Sequence, residues 1–145
     1  MDKVQVMKVL ALQATEVGKT SIYDAFQDVK GLPAEIITFN DYAVYRGIPE
    51  REFFIGNQTQ LDHLFEFVNE EYFGKFVELT LVIYSPVNLS RDFEINGIVN
   101  VLCLNLNESC QLAIEMAKAT GGAFLFSENL GKLEKNLNFL LSYFD

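Results

Sequence analysis

The chain is predicted to fold as a three-layer α/β sandwich: a mostly parallel central sheet, one antiparallel hairpin at its edge, and helices on both faces. Three observations lead there. Apolar runs of strand length alternate with stretches of helical spacing along the 145 residues. The run Val77 to Tyr84 is apolar on both of its alternating faces, as in a strand covered on both sides. The end of the chain reads strand, helix, Gly121-Gly122, strand, helix. Right-handed crossovers follow from that order.

The elements can be justified in turn. Val4, Val6, Val9, Leu10 and Leu12 form the first strand, and Thr15 to Thr20 a polar loop. Ile22, Ala25, Phe26 and Val29 recur at helical spacing, with Ser21 and Asp24 as a capping pair and Gly31-Leu32-Pro33 as the stop. Ala34 to Asn40 is a strand, Asn40-Asp41 a turn, and Tyr42 to Arg46 its hairpin partner. Glu52 to Ile55 reads as a short strand or, in part, as an apolar contact patch. Thr59 to Phe73 is an amphipathic helix with the stripe Leu61, Leu64, Phe65, Val68 and Tyr72. Ser85 to Asn96 is a polar loop, and Ile98 to Leu106 a strand. Glu108 to Thr120 is a helix with Cys110, Ala113, Ile114 and Ala117 inward. Gly121-Gly122 stops it, because glycine adopts the left-handed turn and lets the backbone cross close to the sheet. Ala123 to Ser127 and the leucine-striped Leu130 to Phe144 complete the chain.

Composition fits one domain over residues 1–145, with half the residues hydrophobic and 13 Phe. Twenty acids against 11 scattered bases give a net charge of −9, which argues against a basic face for nucleic acid or an anionic membrane. Lys3, Gln5 and Lys8 interrupt the first apolar run, so it does not read as a signal peptide, and no run has the length of a membrane span. The expected location is cytoplasmic, or nuclear in a eukaryote. Cys103 and Cys110 are expected as buried thiols with no disulfide, and together with the single His63 they make no metal site by spacing. His63 is expected as a partly exposed structural residue.

Several segments together resemble the von Willebrand factor type A (vWA) domain. Ile37-Thr38-Phe39-Asn40-Asp41-Tyr42-Ala43-Val44 looks like that family's second strand and edge hairpin. Leu79 to Ser85 looks like its central fourth strand, and Ala113 to Phe126 like its closing helix, Gly-Gly and strand. The resemblance spans Lys8 to Phe144 and implies a Rossmann-like sheet. It also implies a place for a metal site: a D-x-S-x-S loop after the first strand, completed by a Thr and an Asp from later loops, whose hard oxygens suit magnesium. Here that loop is Gln13-Ala14-Thr15-Glu16-Val17. Gln13 stands for the first Asp, Thr15 for the first Ser and Val17 for the second. Thr59 matches the later Thr, and Ser85 falls where the later Asp is expected. Both carboxylates are absent, so no metal or other cofactor is expected. Without the resemblance, Thr15 is a loop residue and Thr59 a helix N-cap.

Gly18-Lys19-Thr20-Ser21 is half of a phosphate-binding P-loop, but position 13 is Gln where the motif needs Gly. The reading is therefore a non-enzymatic interaction or scaffold domain within a larger complex, with a protein partner that the acidic surface would prefer basic. Candidate partner contacts are Glu16, Lys19, Phe53, Phe54, Asn88 and Arg91. The alternatives are an acidic inhibitor or immunity-type protein acting on a basic enzyme, and a P-loop-like nucleotide-binding protein.

Overall fold

The computed structural model describes residues 6–16, 19–104 and 110–144. The expected Val4, Val17, Gly18, Asn105, Leu106 and Glu108 lie outside them, as does the side chain of Lys19. In chain order the elements are β1 (Val6–Gln13), α1 (Lys19–Phe26), β2 (Glu35–Phe39), β3 (Val44–Arg46), β4 (Thr59–Gln60), α2 (Asp62–Glu71), β5 (Phe76–Ile83), β6 (Val87–Asn88), β7 (Gly97–Cys103), α3 (Gln111–Thr120), β8 (Phe124–Phe126) and α4 (Leu133–Ser142).

Six strands form one sheet in the order β3-β2-β1-β5-β7-β8. All neighbours are parallel except the β2–β3 hairpin at one edge. The predicted sandwich is the observed one. The chain winds outward from β1 in one direction and from β5 in the other, so the β1/β5 boundary is the switch point of the sheet.

Alternation along each strand builds two cores. Val9 and Ala11 of β1, Leu79 and Leu81 of β5, and Val99 and Val101 of β7 pack with Leu64, Phe65 and Val68 of α2 and Ala113 and Ala117 of α3. Leu10 and Leu12 of β1, Val82 of β5 and Leu102 of β7 turn to the other face, against Ile22 and Phe26 of α1 and Leu133, Leu137 and Leu140 of α4. Each face therefore carries two helices. Lys8 interrupts the apolar run of β1 for a physical reason: its Nζ donates to the carbonyl of Leu141 at 2.5 Å, placing a cation at the carbonyl end of α4.

The glycine pair acts as expected. Gly121 ends α3 with φ of 79°, and its neighbour's N–H donates to the Ala117 carbonyl at 2.8 Å. A Cβ on Gly122 would lie 1.9 Å from the Val99 carbonyl oxygen, so only glycine lets the chain cross β7 there.

Several expectations are corrected. Ser21 is not at the N-cap position, because α1 already begins at Lys19 and Ser21 lies in its first turn. Glu52 to Ile55 is not a strand: Arg51–Phe53 forms a 3₁₀ turn that carries Phe54 into the core beside Tyr23 and Phe26, with ring centroids 5.6 and 6.1 Å away. The helix expected from Thr59 starts at Asp62, and Thr59 lies instead in β4, paired in parallel with β6 inside the expected Ser85 to Asn96 loop. The last helix begins at Leu133, after a 3₁₀ turn over Leu130–Lys132. Cys103 and Cys110 are joined in a disulfide rather than kept as thiols. The end of β7 and the start of α3 meet at the same sheet edge, which brings the two Cα atoms to 6.1 Å, within bridging range. Spacing in the chain does not reveal that approach.

Gly122→Ala is expected to cost about 3 kcal/mol, since backbone must move to admit the methyl group. Thermal unfolding by circular dichroism checks this; an unchanged melting temperature would contradict the close crossing.

Candidate functional site

The carboxyl ends of β1 and β5 meet at the switch point, where open α/β sheets usually present a ligand crevice. Here the place is filled from within. Gln13 is the last residue of β1 and is fully buried. Its Nε2 donates to Thr59 Oγ1 at 3.1 Å and to the Ser85 carbonyl at 3.1 Å. Its Oε1 accepts from the backbone N–H of Tyr84 at 2.9 Å and of Ser85 at 2.9 Å. Two donors and two acceptor sites are all that a carboxamide has, so Gln13 is saturated.

The surrounding loops are tied to the same point. Ser85 Oγ donates to the Asn57 carbonyl at 2.6 Å, and the backbone N–H of Thr59 donates to the Pro86 carbonyl at 3.0 Å. The Thr15 N–H donates to Tyr84 Oη at 2.7 Å, and the Tyr84 hydroxyl donates back to the Thr15 carbonyl at 2.9 Å. Burial pushes the Tyr84 phenol above its ordinary value, against the opposing pull of its Thr15 hydrogen bonds. Thr15 Oγ1 is buried and has no hydrogen-bond partner among the described residues.

Four of the positions matched to a metal site are thus placed. Gln13, Thr59 and Ser85 converge, Thr15 lies beside them, and Val17 is outside the described residues. The donor set does not fit a magnesium-type ion: the central group is a neutral amide with every valence used, and no cluster of three or more His, Cys, Asp or Glu with metal-binding geometry occurs among the described residues. Thr59 is a buried acceptor rather than a helix cap.

The candidate partner contacts lie in different settings. Glu16 is exposed, with its N–H on the Gly56 carbonyl at 2.7 Å. Lys19 opens α1. Phe53 is half-buried against Tyr45, 6.0 Å between centroids, and Phe54 is only 1% exposed, which makes it a core residue. Asn88 is exposed on β6. Arg91 is exposed but occupied within the chain, 3.0 Å from Glu66 and over the Phe93 ring at 4.6 Å. His63 is exposed on α2.

Sequence reasoning missed Tyr84 and Asn57 as members of the site. The available signal was a tyrosine at the end of an otherwise aliphatic central strand, where its hydroxyl needs a buried partner. Two clefts lie elsewhere. One of about 550 Å³ sits at the opposite end of the sheet, beside Phe73, Lys75 and Ile95. The other, of about 270 Å³, separates the β2–β3 turn from α2.

No family model matches the chain, and no curated protein matches it. A solved structure, that of the ArnB paralog VWA2 from Sulfolobus acidocaldarius, is similar with a TM-score of 0.64 at 12% identity. The match covers 97% of this chain and 45% of that one, so the chain spans less than half the length of that protein. The fold is therefore vWA-like.

Two outcomes follow from the Gln13 geometry. Gln13→Leu keeps the volume but removes the acceptor of the Tyr84 and Ser85 N–H groups and the donor to Thr59 Oγ1 and the Ser85 carbonyl, and is expected to cost about 3 kcal/mol or more in denaturant unfolding. Combined with Thr59→Val it should cost less than the sum of the singles by about 1 kcal/mol, because both remove one shared bond. For Tyr84, a raised native value means that the folded state holds the proton more tightly than the unfolded one. Its contribution is complete below the ordinary tyrosine value and is lost as pH rises through the native one. Stability measured above pH ~10 should fall with pH, and less steeply in Tyr84→Phe.

Proposed function

We propose that this chain is a non-catalytic protein-interaction domain that serves as a scaffold within a larger assembly. The observation that carries the reading is the saturated Gln13 carboxamide, which occupies the switch point with hydrogen bonds internal to the chain. A group engaged on all sides is poorly suited to bind a cation or to move a proton. What the domain offers a partner is its surface. With 20 acids against 11 bases, that surface is complementary to a basic protein, whose encounter it would accelerate.

The vWA-like fold is compatible with this reading, since a rigid sheet presents loops and helix faces in fixed positions. No helix among the described residues is long and apolar enough to cross a membrane. The Cys103–Cys110 disulfide is of a kind that persists most readily in an oxidising compartment.

Melting curves with and without magnesium, manganese or ATP are expected to superimpose. A shift of several degrees would replace the scaffold reading with a metal- or nucleotide-dependent one. Affinity purification from native lysate is expected to recover a multi-subunit assembly; recovery of one basic enzyme in an inhibited state would favour the inhibitor instead.

A further inference from the structure

The three arginines of the chain share one arrangement. Arg46 pairs with Glu71 and lies over the Phe67 ring at 5.5 Å. Arg51 is 3.2 Å from Asp24 and lies over the Tyr23 ring at 4.9 Å. Arg91 is 3.0 Å from Glu66 and lies over the Phe93 ring at 4.6 Å. Each guanidinium meets one carboxylate oxygen and one aromatic face, the two groups that recognise its charge and its plane.

The cleft of about 270 Å³ between the β2–β3 turn and α2 presents the same two groups to solvent. It is shallow and open, lined from the turn by Tyr42, which is 70% exposed, and from α2 by His63, Glu66, Phe67 and Glu70. No lysine or arginine lines it. Glu66 is engaged by Arg91 and Phe67 by Arg46, whereas Glu70 makes no ion pair among the described residues.

The backbone that carries Tyr42 is held in place by the chain. Asn40 Oδ1 accepts from the N–H groups of Tyr42 and Ala43 at 2.8 and 2.9 Å, and its Nδ2 donates to the Phe53 carbonyl at 3.0 Å. Asp41 Oδ1 accepts from the Gln60 N–H at 2.7 Å, pinning the turn to β4. With the backbone of the turn fixed from both sides, the ordering left to occur at Tyr42 on binding is that of its side chain.

We propose that this cleft receives an arginine side chain of a basic protein partner, with the guanidinium stacked on Tyr42 and paired with Glu70. The inference rests on the interaction-domain reading above and adds the place and the chemistry of the contact. The net charge of −9 draws such a partner in, and the cleft selects arginine over lysine because only the planar guanidinium stacks and pairs at once.

The test uses the full chain and capped glycine tripeptides carrying a central arginine, lysine or citrulline. In a two-dimensional amide NMR titration the arginine peptide should give saturable shifts at Tyr42, Ala43 and Glu70. The citrulline peptide should bind at least about fivefold more weakly, and Tyr42→Ala and Glu70→Gln should each weaken the arginine peptide by about the same factor. Both side chains are exposed, so the variants should melt with the parent. Equal binding of arginine and citrulline peptides, or shifts that spread over the surface and survive both substitutions, would overturn the proposal. At the level of the partner the two readings separate. A purified partner bound equally by the parent chain and both variants would remove the cleft but leave the interaction domain standing. Site-specific arginine binding by a chain that captures no protein would keep the cleft and remove the domain reading.

Discussion

The carboxamide of Gln13 joins the end of β1 to residues 46, 71 and 72 positions further along the chain. No other residue type serves it equally well. A carboxylate has nothing to donate to the Ser85 carbonyl, and an aliphatic side chain would leave the Tyr84 and Ser85 N–H groups buried and unpaired. The neutral amide, with two donors on one side and an acceptor on the other, matches the polarity of the groups around it. The loops after β1, before α2 and after β5 are held in one place by that match.

The topology explains why so much depends on this point. The connections leave β1 and β5 in opposite directions, through α1 and through β6, so their carboxyl ends are where the chain diverges and a gap opens. Buried backbone groups at such a gap must find a partner. In this chain they find Gln13, the β4–β6 ladder and the reciprocal Thr15–Tyr84 bonds. The gap is closed by the protein, and recognition is left to the outer surface. There, a ring and a carboxylate meet every arginine, and Tyr42 and Glu70 line a solvent-open depression of the same chemistry.

Much of the fold was legible because periodicity reports burial directly. The two-sided strand Val77 to Tyr84 is the central β5, the Asn40-Asp41 signal is a side-chain-stabilised turn, and Gly121-Gly122 is a left-handed stop followed by a close crossing. The misreadings share a cause. Thr59 carries a helix-cap residue type but is claimed by Gln13, and Phe53-Phe54 has strand composition but a 3₁₀ turn sends Phe54 inward against Tyr23 and Phe26. Local propensity was overruled by partners distant in the chain. The disulfide was missed for the same reason, since only the meeting of β7 and α3 at one edge brings its cysteines together.

The candidate site was legible in its positions and not in its chemistry. The resemblance directed attention to Gln13, Thr15, Thr59 and Ser85, and the sequence alone established that the carboxylates expected there are absent. Layering, helix faces, acidity and that absence are all properties of residue type and spacing, which a one-dimensional chain contains. The tertiary structure decided what the absence amounts to: an amide whose four hydrogen bonds are satisfied by segments that only folding brings within 3.1 Å. Hydrogen bonds are short and directional, so their partners are set by three-dimensional approach, while burial follows from pattern alone.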